Sequence, residues 1–509
     1  MLARVLSAGL VGIDAYPLDV EVDICLQSMP KWHTVGLAES EVKESKERVI
    51  AAIKNSGYDF AKRRITINLA PADIKKEGTA FDLPIALGLL SASGLVNAER
   101  LRSFLCVGEL SLNGELRPVR GVLPMAVMAS AKKYEGMILP TINAGEASMV
   151  EGLPVYAMNH LSEVVEFLEG RLVKTPLPNR RFDERTVISY STDFDEICGQ
   201  YQAKRALEVA ASAGHNILFI GPPGAGKTML ASRLPTILPP LTFEESLETS
   251  RVYSVLTLLK NDGLLTERPF RAPHHSVSDA GLVGGGSIPR PGEVSMAHNG
   301  VLFLDEMPEF KKNVLELLRQ PLESGSVTIS RAAMSLTYPA DFMLVAAMNP
   351  CPCGYHGHPR LVCRCTPQLV QKYRNKLSGP LLDRIDLQIE VPPVPFDEIA
   401  ALSPVRENST TIRNRVMKTR ALQKERFIAD KISLNSQMGP RLVRKYCALN
   451  REGNQIMKSL MEKFHLSART FTRLLKVART LADMGESPNI ETSHLLEAVQ
   501  YRSLDRSTF

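Results

Sequence analysis

Over residues 1–172 the apolar positions change period repeatedly. RRITINLA, RSFLCVGEL and GMILP read as strands, whereas SEVKESKERVIAAIKNSG and PMAVMASAKK repeat their apolar residues at helical spacing. This alternation predicts an α/β domain. The polar stretch KTPLPNRRFDERTVISYSTD, rich in Pro and Arg, marks a linker over 173–193. A second α/β region is expected over 194–393, built on the apolar runs NILFI, VLFL and FMLVAAM. VPPVPFDEIAALSP then punctuates the chain, giving a connector over 394–407. From 408 to 509 the pattern is mainly helical, as in FTRLLKVARTLADM and TSHLLEAVQYR. The uncharged stretch Leu83–Ala98 is broken by Pro84, Gly88 and Gly94, which predicts a buried helix and not a membrane span.

Length agrees with this division, since 509 residues exceed what one core serves and about two to four domains are expected. With 44% hydrophobic and 23% charged residues and no low-complexity tract, fibrous and disordered classes are excluded. The net charge of +6 is unevenly placed: residues 401–509 hold 20 Lys/Arg against 10 Asp/Glu, so the remainder is net acidic. That basic end suits either a polyanionic partner or a solvated helical surface. MLARVLSAGLVGIDAYPLDVEV begins like a secretory leader, but acidic residues and strand alternation follow at once, without a convincing cleavage site. A cytoplasmic location with reduced cysteines is therefore expected.

Several stretches carry chemistry. In NILFIGPPGAGKTML an apolar strand runs into Gly221, Pro222, Pro223, Gly224, Ala225, Gly226, Lys227 and Thr228, followed by a helix. This is the P-loop pattern in its required context: backbone N–H groups wrap phosphate oxygens, Lys227 reaches the β/γ-phosphates and Thr228 holds Mg²⁺. VLFLDE ends a second apolar strand in Asp305, expected on Mg²⁺, and Glu306, expected to activate the attacking water. A third strand ends at Asn349, suited to orienting that water. Arg384, in SGPLLDRIDL, suits either a γ-phosphate or a surface ion pair.

ICGQYQAKRALEVAASAGHNILFIGPPGAGKT, FRAPHHSVSDAGLVGGGSIPRPGEVSMAHNGVLFLDE and LSGPLLDRIDL together resemble the AAA+ ATPases. Within these they resemble the branch of magnesium-chelatase ATPase subunits and MCM helicases. Across the whole chain the resemblance is to the ComM (YifB) family, magnesium-chelatase-like proteins associated with DNA uptake. It implies ATP and Mg²⁺ as ligands, and Asn349 as the residue sensing the γ-phosphate. Arg384 becomes an arginine finger acting on the neighbouring subunit's nucleotide, which requires a ring, usually a hexamer. Arg469 matches the second sensor position in a C-terminal helical lid, with Arg473, one turn along, as the alternative. Gly199 and Gln200 fall where this branch approaches adenine. Two insertions would face a pore: the hairpin Gly325–Ala340 and the loop FRAPHHSVSDAGLVGGGSIPRPGE. These make Arg271, His274, His275, Arg290 and Arg331 candidate DNA contacts, with loop packing or subunit contact as the competing use of each. The implied activity is that of a hexameric DNA helicase driving branch migration during recombination in natural transformation. A chelatase-type ATPase remodelling a protein partner or assisting metal insertion is the alternative, although the chain lacks a DxSxS metal motif.

KKEGTAFDLPIALGLLSASG and GELSLNGELRPVRGVLPMAVMASAKKYEGMILP resemble the proteolytic domain of Lon, whose serine nucleophile uses a lysine base. The nucleophile position falls near Ala80, beside Thr79, and the lysine position falls at Leu123, beside Pro124. Neither Ala80 nor Leu123 accepts a proton and Thr79 would lack its base, so no peptidase activity is expected. Finally, Cys351, Cys353, Cys363 and Cys365 form C-x-C-x₉-C-x-C, a donor set suited to tetrahedral Zn²⁺ with no open position for catalysis. His356 or His358 could replace a cysteine, and reduced thiols or an iron–sulfur cluster are the competing readings. A zinc knuckle here would brace the link from Asn349 to Arg384 and could present Arg360 and Arg364 to a partner.

Overall fold

The structure is a computed structural model describing residues 2–25, 29–37, 39–59, 63–180, 182, 190–259, 263–286, 289–331, 334–395, 406–464 and 467–502. Most of the connector (396–405) and part of the linker (181 and 183–189) thus lie outside the described residues, as do 287–288 and 332–333 of the two insertions. The chain divides into two compact units, Met1–Arg185 with Thr242–Leu265, and Thr186–Leu241 with Thr266–Phe509.

The first unit is a seven-stranded mixed sheet. Its strands are β1 (Leu2–Val11), β2 (Asp14–Cys25), β3 (Lys31–Val35), β4 (Arg64–Ala70), β5 (Phe104–Cys106), β6 (Gly136–Pro140) and β7 (Val155–Met158), in the order β3-β4-β2-β1-β5-β6-β7. β1 and β2 form a hairpin from Leu2↔Asp23 to Val11↔Asp14, and β5, β6 and β7 run parallel. Helix α1 (Ser40–Asn55) and helix α2 (Asp82–Ala92) share one core with the antiparallel half. Every residue of α2 is buried, as the uncharged run from Leu83 predicts and with Asp82 enclosed as well, but the helix stops at Ala92 and not at Ala98. Pro84 is tolerated because the first-turn N–H groups have no intrahelical partner, whereas Gly94 turns left-handed at φ +79°.

Asp82 is wholly enclosed on α2, with Arg48 Nε donating to it at 2.8 Å. Burial nevertheless dominates and pushes its carboxyl up to about 6. The parallel half packs a second core around α3 (Val122–Ala131), and this core includes Leu264, with Phe243, Leu247 and Leu259 packed against it, while α4 (Leu161–Leu168) joins the first core. The segment Thr242–Leu265, which lies inside the stretch expected to form the ATPase region, is therefore built into the first unit. Its helix Phe243–Val255 is capped by Thr242 and Glu245 in a reciprocal pair, and Ser254 anchors it by donating to the buried Glu146 at 2.7 Å.

The second unit has a five-stranded, fully parallel sheet. β8 (Ile217–Ile220), β9 (Phe270–Arg271), β10 (Val301–Leu304), β13 (Met343–Met348) and β14 (Leu387–Glu390) take the order β9-β10-β13-β8-β14. β8, β10 and β13 are buried at every position, as expected for a parallel sheet covered on both faces. The hairpin β11 (Ser326–Arg331) and β12 (Met334–Pro339) stands apart from this sheet, with Thr328 opposite Thr337. Helices α5 (Tyr201–Ala213) and α6 (Lys227–Ile237) share a core with the C-terminal helices α7 (Ser409–Arg426), α8 (Ala468–Met484) and α9 (Thr492–Gln500).

Candidate nucleotide site and cysteine cluster

β8 lies between β13 and β14, so the glycine loop after it opens at the carboxyl ends of parallel strands, where ligands of such sheets bind. A Cβ on Gly221 would stand 2.2 Å from the Val391 carbonyl oxygen, which fixes glycine at the start of the loop. The loop feeds α6, whose first residue is Lys227. The Lys227 ammonium donates to the carbonyls of Gly221 (2.7 Å) and Pro222 (2.9 Å) and to Asn349 Oδ1 (3.1 Å). Burial lowers its pKa from the usual lysine value.

Thr228 Oγ1 donates to Asp305 Oδ2 at 2.7 Å, placing two oxygen ligands suited to a hard cation side by side. Glu306 follows in the left-handed region (φ +48°), an unusual conformation for a residue with a side chain, and its carboxylate is exposed. The structure thus brings Lys227, Thr228, Asp305 and Asn349 together from three neighbouring strands, with Glu306 adjoining Asp305. Gly199 and Gln200 are both left-handed at the start of α5. Gln200 Nε2 donates to the Ala225 carbonyl within the loop (3.2 Å) and to the Pro392 carbonyl beyond β14 (2.6 Å).

The arginines are placed differently. Arg384 lies in the turn before β14, where it donates to the Pro380 carbonyl (2.7 Å) and pairs with Glu323; only 11% of its side chain is exposed. Arg473, on α8, pairs with buried Asp386, which also faces His215 Nδ1 (3.3 Å) and accepts from the Asn216 N–H (3.2 Å). Burial alone would raise the Asp386 carboxyl, but Arg473 and His215 outweigh it and hold the group well below the usual carboxylate range. Arg469, one turn earlier, leaves 69% of its side chain exposed and lies 3.8 Å from Asp383.

Among the insertion residues, Arg271 forks onto Glu293 at 2.7 and 2.9 Å and is engaged within the chain, while His274, Arg290 and Arg331 are exposed. The half-buried His275 ring lies 4.0 Å from that of His274. The Tyr338 hydroxyl donates to the Pro289 carbonyl at 2.6 Å, which joins the hairpin to the loop insertion.

The four cysteines converge. Cys351 Sγ stands 3.4 Å from Cys353 Sγ and 3.7 Å from Cys363 Sγ, and the sulfurs of all four lie within 4.8 Å of one another. A tetrahedral Zn–S bond of about 2.3 Å implies sulfur–sulfur edges of about 3.8 Å, so the cluster fits that ion. His358 Nδ1 instead accepts the N–H groups of Arg360 and Leu361, and neither His358 nor exposed His356 belongs to the converging cluster. Arg360 and Arg364 are exposed. Gly354, at φ +84°, lies so close to the phosphate loop that an added Cβ would stand 2.6 Å from Pro223 Cδ, a contact the sequence did not signal.

In the first unit, Ala80 and Leu123 are both buried. Thr79 differs from expectation. Its hydroxyl donates to the Glu109 carboxylate, so it does have a possible proton acceptor, contributed by a strand 30 residues on. The buried Lys76 ammonium donates to the Pro71 and Ile74 carbonyls.

With this geometry in place, comparison with known proteins defines the class. The family described as magnesium chelatase, subunit ChlI matches residues 193–399, the subunit ChlI of Mg-chelatase family matches 20–143, and the ChlI C-terminal family matches 406–502. Competence protein ComM of Haemophilus influenzae is 45% identical over 509 residues, covering 99% of this chain and 98% of the relative. YifB of Salmonella typhimurium is 44% identical over 507 residues, covering 99% and 98%. The magnesium-chelatase 38 kDa subunit of Rhodobacter capsulatus is 26% identical over 250 residues, covering 45% of this chain and 68% of that protein. The chain belongs to the ComM/YifB family of magnesium-chelatase-like AAA+ proteins. No helix among the described residues is long and apolar enough to cross a membrane.

Proposed function

We propose that this protein is a ring-forming ATPase, most simply a hexamer, that moves along DNA and drives branch migration as incoming single strands are integrated during natural transformation. The observation that carries the motor part is the meeting of Lys227, Thr228, Asp305 and Asn349 around one phosphate loop. The DNA part rests on kinship with a protein named for competence, and on the basic C-terminal region and exposed Arg290 and Arg331.

Loop N–H groups and Lys227 would bind the ATP phosphates, and Gln200 would set the loop's position from the adenine side. Thr228 and Asp305 would hold Mg²⁺, which supplies charge neutralisation at the phosphates. Asn349 orients the attacking water and Glu306 takes its proton. Arg469 reaches the nucleotide from the helical lid, while Arg473 braces the lid through Asp386. Arg384 would serve the neighbouring subunit's nucleotide, and to do so it must exchange Glu323 for phosphate. Zn²⁺ in the cysteine cluster would be structural.

Measuring ATP hydrolysis with and without forked DNA tests the proposal. Forked DNA should stimulate the wild type, and Glu306→Gln should lose at least about 100-fold in hydrolysis. Wild-type-like turnover by Glu306→Gln would reject the assigned chemistry. A chelatase-type ATPase acting on a protein partner is the second reading, favoured by the match across all three ChlI families. It predicts no response to DNA.

A further inference from the structure

The chain's single tryptophan, Trp32, lies on β3, one of the two edge strands of the first unit's sheet. Its indole N–H donates to Thr34 Oγ1 at 3.2 Å, so the polar atom is satisfied within its own strand and the ring offers chiefly an apolar face. That ring lines a cleft of about 310 Å³ together with Tyr58. The volume sits at the small end for ligand pockets and suits one nucleotide unit rather than a duplex. Lys46, Ile50 and Lys54 face it from α1; spaced four apart, they form one ridge of that helix. Lys31 and Arg63 complete the basic lining. Among the described lining residues four are therefore cationic, while one, Asp59, is acidic. Lys46 lies 3.2 Å from Glu47, an exposed pair weak enough to give way to phosphate.

An aromatic face bordered by cations is the combination that holds unstacked bases and their backbone. An apolar ligand would not call for four cations, and a duplex does not offer its base faces. We propose that this cleft binds single-stranded nucleic acid, one base stacking on Trp32 beside Tyr58 with neighbouring phosphates on Lys46, Lys54 and Arg63. It deepens the DNA reading above, adding a strand-holding site outside the motor unit.

The test uses the full-length protein, because all tryptophan emission comes from Trp32. Titration with a short oligothymidylate should quench this emission saturably. Three phosphate contacts on a single strand predict that the logarithm of the association constant falls about 2 for each tenfold rise in salt. Lys46→Glu with Lys54→Glu should weaken the quenching at least about tenfold, and Lys54→Gln alone should weaken it less, both with an unchanged emission maximum before DNA is added.

Unchanged emission under conditions where the same oligonucleotide stimulates ATP hydrolysis would overturn the cleft and leave the motor reading intact. Quenching without stimulation would uphold the cleft and count against the motor reading. Equal quenching by thymidine monophosphate at the same concentration would overturn the strand site in favour of a mononucleotide pocket.

Discussion

Replacing Arg473 by Met would separate bracing from nucleotide sensing on α8. Asp386 is 4% exposed and Arg473 24% exposed, so the perturbation leaves a carboxylate enclosed without its main cation. Two unit charges about 4 Å apart at an effective dielectric of about 20 attract by roughly 4 kcal/mol. Asp386 keeps the Asn216 N–H and His215, and Arg473 is partly hydrated already, which brings the expected loss to about 3 kcal/mol. Because the Asp386 carboxyl is held low in the folded chain, its contribution is present above about pH 4 and disappears as the pH falls further. The gap between variant and wild type should close over that range. Arg469→Met removes an exposed contact and should cost under about 1 kcal/mol, yet it should lower ATP hydrolysis strongly. Calorimetry or circular dichroism is the suitable assay, since Trp32 belongs to the first unit and its emission would miss the second. Equal melting of wild type and Arg473→Met, or a larger loss from Arg469→Met, would refute the division of roles.

Other changes test other parts. Gly354→Ala forces a Cβ against Pro223 at a left-handed position, so nucleotide affinity should fall severalfold, with a stability loss of about 1–2 kcal/mol; unchanged nucleotide titrations would show that the contact is idle. Elemental analysis should find about one zinc per chain, lost in Cys351→Ser, and metal-free wild-type protein would reject the zinc assignment. Asp82 titrates near 6 when folded but near 4 when unfolded, so it favours the folded first unit increasingly as the pH falls from 6 to 4, by up to about 1.4 kcal/mol per pH unit. Trp32-detected unfolding of Asp82→Asn should lack that component.

The parts of this fold legible in the sequence were those that local pattern encodes. The runs ILFI, VLFL and MLVAAM became buried strands where their continuous apolarity placed them, and the helical C-terminal region followed from its spacing. The residues ending those strands met around one loop because parallel strands share their carboxyl edge. Partnerships over long sequence distances were not legible. Nothing near Thr79 announces Glu109, nothing near Arg384 announces Glu323, and nothing in a C-x-C motif announces packing on Pro223. Periodicity shows which face of an element is buried, not which element will cover it. For the same reason the apolar face of Phe243–Val255 gave no hint that it belonged to the first unit.

That last placement bears on how the protein is made. A domain at the start of a chain usually folds as it leaves the ribosome, before its successors exist. Here Phe243, Leu247, Leu259 and Leu264 belong to a core otherwise complete by residue 182, and the buried Glu146 waits for the Ser254 hydroxyl. The nascent first unit must remain unfinished while the phosphate loop and α6 are synthesised, and it closes only after residue 265 emerges. Truncation after residue 185 would leave that core permanently open, so a soluble fragment of the N-terminal region would have to be designed with the 242–265 segment grafted back.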